Sequence, residues 1–273
     1  MQLLDGVLVS ETIKNELRLE LNEWKSCGGK TPHLATILVG NDASSIVYVN
    51  HKMKACKELG FDFSLFKLTT EEELTETIKT LNTDSNIDGI LVQLPLPFNT
   101  NILNTINPLK DVDCLTMISL GKLFKQPTFT PATPAGILML LNYYHIDVTG
   151  MHCIILGRSD IVGKPLSILL SNHNATVTLC HSKTKNLPEI TVLADLLIVA
   201  IGKPKLITAD MIKTGAIVID VGINRINHKI VGDVDFESVS PKCSFITPVP
   251  KGVGPMTICG LLKNTLVAVK LNI

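Results

Sequence analysis

Short, mostly apolar runs that recur between longer segments constrain this chain more than any other feature of its sequence. LATILVG (34–40), the segment near 62–68, GILVQLPLP (89–97), HCIILG (152–157), ATVTLC (175–180), DLLIVAIG (195–202) and GAIVIDVGI (215–223) each read as a strand. The stretches between them are long enough for helices. Ile13, Leu17, Leu21 and Trp24 recur at helical spacing, a second helix is expected over about 43–59, and a third opens at Thr70, where Thr70 and Glu73 form a capping box. TPATPAGILMLLNYYHI (130–146) has a proline-bounded start and a helical body, and a last helix runs from about Pro255 to Leu271. Strand and helix alternating in this way predict an α/β architecture built on parallel, doubly wound sheets.

Composition removes several function classes. Of 273 residues 45% are apolar and 18% charged, enough for a large core in one or two domains. Acidic and basic residues balance at 25 each, so the charge argument for a nucleic acid or an anionic membrane surface is missing. Seven cysteines without a CxxC pair, with Cys153 and Cys180 inside strand-like runs, favour reduced core thiols and a cytoplasmic chain. No run approaches the roughly 18 apolar residues of a membrane span, and the start lacks a basic segment followed by an apolar one. His145 and His152 lie seven apart, His173 and His181 eight, which is not ligand spacing, so no metal is expected.

CIILGRSDIVGKP (153–165) reads as strand, glycine turn and helix start, a geometry that aims backbone N–H groups at an anion. With Ser159 and Val162 where a GxGxxG pattern has glycines, a tight turn without a ligand is an equal reading. The next strand ends in Cys180-His181-Ser182-Lys183-Thr184. An NAD site carries a carboxylate there for the ribose 2′-hydroxyl. Its absence, with Arg158 in the preceding turn, favours the 2′-phosphate of NADP, although Lys183 can equally be a solvated loop lysine.

Ser45, Tyr48 and Lys52 stand at i, i+3 and i+7 and share one helix face. Partial burial would bring such a lysine into the range of acid and base work. Gln93 interrupts an apolar run at a strand end, where its amide needs a partner, either a ligand or neighbouring backbone. Lys110-Asp111-Val112-Asp113 follows Pro108 in a loop, where paired aspartates commonly cap turns. ITPVPKGVGPMT (246–257) is a rigid, proline- and glycine-rich loop entering a helix.

Together VGNDASSIVYVNHK (39–52), DGILVQLPLP (88–97), PLKDVD (108–113), GRSDIVGKP (157–165), CHSKT (180–184), GDVDF (232–236) and TPVPKGVGPMT (247–257) resemble, in order, the bifunctional methylenetetrahydrofolate dehydrogenase/methenyltetrahydrofolate cyclohydrolase family. The resemblance implies an N-terminal α/β folate-binding domain of residues 1–120 plus 258–273, and a C-terminal Rossmann-like NADP-binding domain of residues 121–257, with a cleft between them. It implies oxidation of 5,10-methylenetetrahydrofolate with NADP and hydrolysis of the product to 10-formyltetrahydrofolate. Lys52 would be the central catalytic group with Tyr48 beside it, Gln93 would tune Lys52, and Asp113 would hold the pterin. Gly252, Val253, Gly254 and Pro255 would flank the folate; Gly157, Arg158, Ser159, Ser182 and Ile223 would bind the dinucleotide. A homodimer is also implied. Four positions depart from the family pattern: Cys114 and Lys251 replace glycines, Ala132 replaces the cysteine of PCTP, and Ile201 the threonine of ATG. The rivals are a dehydrogenase without hydrolase activity, a related two-domain dehydrogenase such as one acting on shikimate, and a silent folate-binding protein.

Overall fold

A computed structural model describes residues 1–227 and 229–271 of the chain. It divides into two compact units, Thr12–Ala132 with Ile258–Ile273, and Met1–Glu11 with Thr133–Thr257.

In the first unit, β2 (His33–Val39), β3 (Asp62–Leu68) and β4 (Gly89–Gln93) form a parallel sheet of order β3-β2-β4, with Leu38 of β2 opposite Gln93. Its faces are covered by different helices. Leu34 and Leu91 pack with Leu17 and Leu21 of α1 (Gly6–Ser26), Cys56 of α2 (Ala43–Leu59) and Leu262 and Leu266 of α5 (Val253–Leu271). Ile37, Ile90 and Val92 pack with Leu74 and Ile78 of α3 (Glu71–Thr83). Burial on both faces is why β2 and β4 read as nearly continuous apolar runs. The expected capping box is present: Glu73 N–H donates to Thr70 Oγ1, and Thr70 N–H donates back to the Glu73 carboxylate. The prolines after Gln93 end β4 there, so residues 94–97 form loop.

The second unit has six parallel strands in the order β1-β11-β8-β7-β5-β6: β1 (Gln2–Leu3), β11 (Phe245–Ile246), β8 (Ile217–Asp220), β7 (Leu196–Val199), β5 (His152–Leu156) and β6 (Thr176–Cys180). Ile154, Leu156, Leu197, Val199 and Val218 fill its core. The chain runs outward from β5 in both directions, so the carboxyl end of β5 is the point where strand order reverses. That is where open α/β sheets bind ligands. Helix α4 (Gly163–Asn172) leaves this edge, and a small hairpin of β9 (Asn224–Ile226) and β10 (Lys229–Val231) follows β8.

The first eleven residues group with the second compact unit. β1 pairs in parallel with β11, Leu4 is fully buried, and Gly6 N–H donates to Lys251 O at 2.9 Å. A two-residue strand carries no periodic signal, so only its partner reveals it. Two of the four departures occupy left-handed backbone, Cys114 at φ 53° and Lys251 at φ 88°. Glycine meets no steric cost in that conformation.

Candidate functional site

Helix α2 is pinned at both ends, which fixes the side chains it presents. Asp42 accepts the N–H of Ser45 at 2.7 Å, and Gly60 closes the other end in left-handed conformation. On the shared face Ser45 and Lys52 are buried and Tyr48 half-buried. The Lys52 ammonium donates to Gln93 Oε1 at 2.9 Å, and Gln93 Nε2 donates to Leu94 O at 2.8 Å. The backbone alternative for Gln93 is therefore present at one end of its amide, and the other end is taken by Lys52 of the same chain.

The loop after β4 brings in the acid. Asp113, half-buried, accepts the N–H of Ala132 at 3.3 Å and acts on Lys52 as a neighbouring charge. Burial pulls the Lys52 ammonium below the usual lysine range, and the Asp113 carboxylate opposes that shift. Burial likewise pushes the Asp113 carboxyl up, with Lys52 opposing. Its neighbours are structural: Asp111 accepts the N–H groups of Leu115 and Thr116, and Lys110 donates to the carbonyls of Leu81 and Asp84. Cys56, one turn beyond Lys52, is held as a thiol, its pKa pushed by burial up to about 12. The result is a buried amine bonded to an amide and acted on by a neighbouring carboxyl, a group of the kind that takes up and returns a proton.

At the other candidate site, Gly157 lies at the end of β5 with φ 122°, and its N–H donates to Cys180 O of β6 at 2.9 Å. A Cβ there would fall 2.1 Å from Ala200 O after β7, so the turn accepts only glycine. Ser159 Oγ accepts the N–H groups of Val162 and Gly163 at 3.2 and 3.4 Å, which folds the turn onto the start of α4. After β6, His181 and Thr184 close a tight loop through two hydrogen bonds, leaving Ser182 and Lys183 exposed at its tip. Arg158 is exposed, and Ile223 after β8 is 48% exposed. The edge thus offers guanidinium, hydroxyl and ammonium groups where an NAD site would carry an acid, a donor set that fits the 2′-phosphate of NADP.

Gly252 precedes α5, and Val253, Gly254 and Pro255 form its first turn, where early N–H groups have no partner within the helix. Thr257 in the next turn meets Thr133 through their hydroxyls at 3.0 Å. Sequence reasoning missed one cluster altogether. Asp220 closes β8, and its carboxylate accepts the N–H groups of Gly222, Asp233 and Val234. GDVDF had registered only as part of a pattern. A carboxylate ending a run as apolar as GAIVIDVG was the signal available.

Residues 4–113 match the family model described as tetrahydrofolate dehydrogenase/cyclohydrolase, catalytic domain, and residues 131–273 that described as tetrahydrofolate dehydrogenase/cyclohydrolase, NAD(P)-binding domain. The chain is 50% identical to the bifunctional protein FolD of Cytophaga hutchinsonii, with all of both chains covered. Among solved structures it is similar to the bifunctional methylenetetrahydrofolate dehydrogenase/cyclohydrolase of Campylobacter jejuni (48% identity, TM-score 0.96, all of both chains covered). It is also similar to the Trypanosoma brucei dehydrogenase-cyclohydrolase complexed with NADP and an inhibitor (36% identity, TM-score 0.93, 98% and 96% covered).

Proposed function

We propose roles for individual residues on the premise that the chain belongs to the tetrahydrofolate dehydrogenase/cyclohydrolase family. It is a bifunctional enzyme that oxidises 5,10-methylenetetrahydrofolate with NADP and hydrolyses the resulting methenyl compound to 10-formyltetrahydrofolate. Bound NADP supplies the hydride acceptor for the first step. The observation that carries the residue assignment is the buried Lys52 ammonium held by Gln93 at 2.9 Å beside Asp113.

In the oxidation the protein's part is orientation, because loss of hydride from the one-carbon bridge needs no protein acid. Asp113 and Tyr48 are assigned to the pterin and its reacting face, Gly252, Val253, Gly254 and Pro255 to contacts with the folate. In the hydrolysis, water adds to the methenyl carbon and yields its proton to the neutral Lys52 amine. The ammonium so formed returns that proton to the ring nitrogen as its bond to the carbon breaks, and the hydroxyl proton leaves as the formyl group forms. Gln93 keeps the Lys52 nitrogen aimed throughout, and burial keeps its neutral form accessible. Gly157, Arg158, Ser159, Ser182 and Ile223 are assigned to the dinucleotide.

The test is Lys52→Met, assayed for methenyl hydrolysis without NADP and for NADP binding separately. Loss of the first with retention of the second is the expected result, and undiminished hydrolysis would overturn the assignment. Among the described residues no helix is long and apolar enough to cross a membrane. A cytoplasmic homodimer is the accompanying reading, tested by sedimentation and by fractionation of cells.

A further inference from the structure

Three backbone segments at the carboxyl edge of the second sheet converge on two carboxylates. Asp233 Oδ2 accepts the N–H groups of Ile201 and Gly202, after β7, at 2.8 and 2.9 Å. Its Oδ1 accepts Asn224 Nδ2, one residue beyond Ile223, at 2.8 Å. Asp233 is itself seated on Asp220, which takes the N–H groups of Gly222, Asp233 and Val234 at 2.9 to 3.0 Å. Both acids are buried, at 4% exposure or less. The fit leaves no slack: a Cβ on Gly222 would fall 2.3 Å from the Asp233 carboxyl carbon, and one on Gly232 would fall 1.8 Å from Asp220 Oδ2.

Burying two like charges side by side is costly, and the six hydrogen bonds they accept offset that cost. Backbone could close these loops with ordinary turns. What the acids add is a fixed relation between the Ala200–Gly202 segment, which packs against Gly157, and the Val221–Asn224 segment, which presents Ile223. We infer that Asp233, seated on Asp220, is a positioning residue for the dinucleotide, holding the segments after β7 and β8 in the spacing that NADP needs. The inference rests on the assignment of NADP to this edge, which Arg158 tests independently.

The full-length chain carrying Asp233→Asn is measured for KM of NADP in the dehydrogenase assay and for methenyl hydrolysis without NADP. An amide at this place keeps one oxygen for the Ile201 and Gly202 N–H groups but loses the charge and turns its own N–H groups toward the Asn224 side chain. KM for NADP is expected to rise about tenfold or more, with hydrolysis within about twofold of the parent. In Asp233→Asn/Asn224→Asp the amide and the carboxylate exchange places, the donor and acceptor pattern is restored, and KM is expected to return most of the way. Arg158→Ala raises KM for NADP on its own if the edge binds the cofactor. An unchanged KM in Asp233→Asn, with a raised one in Arg158→Ala, overturns the positioning role and leaves the edge assignment standing. No change in either variant overturns both. Loss of hydrolysis together with NADP use, without rescue in the double variant, marks a fold staple and also overturns the inference.

Discussion

The Lys52 cluster of the first unit and the Asp220–Asp233 cluster of the second both place charge in apolar surroundings, and they differ in how completely the protein bonds it. Asp220 and Asp233 each accept three hydrogen bonds, all but one from backbone N–H groups. Lys52 carries three donors, and among the described residues Gln93 is the side chain that accepts one. A carboxylate bonded on all sides holds geometry and resists change. An amine bonded on one side keeps donors for a substrate, and its protonation state responds to what binds. The difference teaches that burial alone does not mark a catalytic group; unfinished bonding beside burial does.

The largest test of this contrast removes the under-bonded group. Lys52→Met should lower the hydrolytic rate by roughly 10²- to 10⁴-fold, the usual worth of a positioned acid or base, while a fluorescence titration still detects NADP. If an unbonded lysine nearby sufficed, the loss would be far smaller.

The second test concerns the cost of the finished cluster. Burial outweighs its hydrogen bonds, so Asp220 is raised from 3.8 to about 6. Its folded value lies above its unfolded one, so the contribution of this proton favours the fold below about pH 4 and is lost as pH rises through 6. At about 1.4 kcal/mol per unit, the loss is on the order of 3 kcal/mol. Urea denaturation from pH 4 to 7.5 should show that decline in the parent and a shallower one in Asp220→Asn; parallel curves would mean that Asp220 titrates normally.

A smaller effect probes the electrostatic balance at Lys52. Asp113 raises the Lys52 pKa against burial, so Asp113→Asn should move the Lys52-governed limb of the hydrolytic pH profile to lower pH. The rate should also fall by about tenfold. A limb that stays in place would separate the two side chains electrostatically.

The smallest concerns backbone outside either cluster. Lys251 holds φ 88° on the surface, and a left-handed L-residue costs about 1–2 kcal/mol. Glycine removes that strain and adds unfolded-state entropy, so Lys251→Gly should stabilise the chain by about 0.5–1 kcal/mol in the same denaturation assay. Cys114→Gly should gain less, because Cys114 also fills core space.

Legibility followed the range of the interaction. Strands longer than four residues, covered on both faces, and helices with caps such as Thr70–Glu73 stood out because their signals repeat within a few residues. β1 and β11 did not, since two residues each have no period and exist through pairing with a distant strand. In the site, Tyr48 and Lys52 shared a helix face by spacing alone, whereas the bond from Lys52 to Gln93 spans 41 positions and had to be found in the fold. Asp111 and Asp113 looked equivalent in sequence; one caps a turn and the other faces a lysine.

The sequence by itself therefore determined the α/β alternation, the glycine turn, the missing acid after β6 and, by pattern, the family. These are local properties, fixed by periodicity and by residue type at a given turn. Tertiary structure alone decided that Lys52 is buried with Gln93 as its acceptor among the described residues and that Asp220 and Asp233 each accept three hydrogen bonds. Burial and hydrogen-bond completion depend on what distant segments bring, and the same side chain is a solvated ion or a tuned base according to that company.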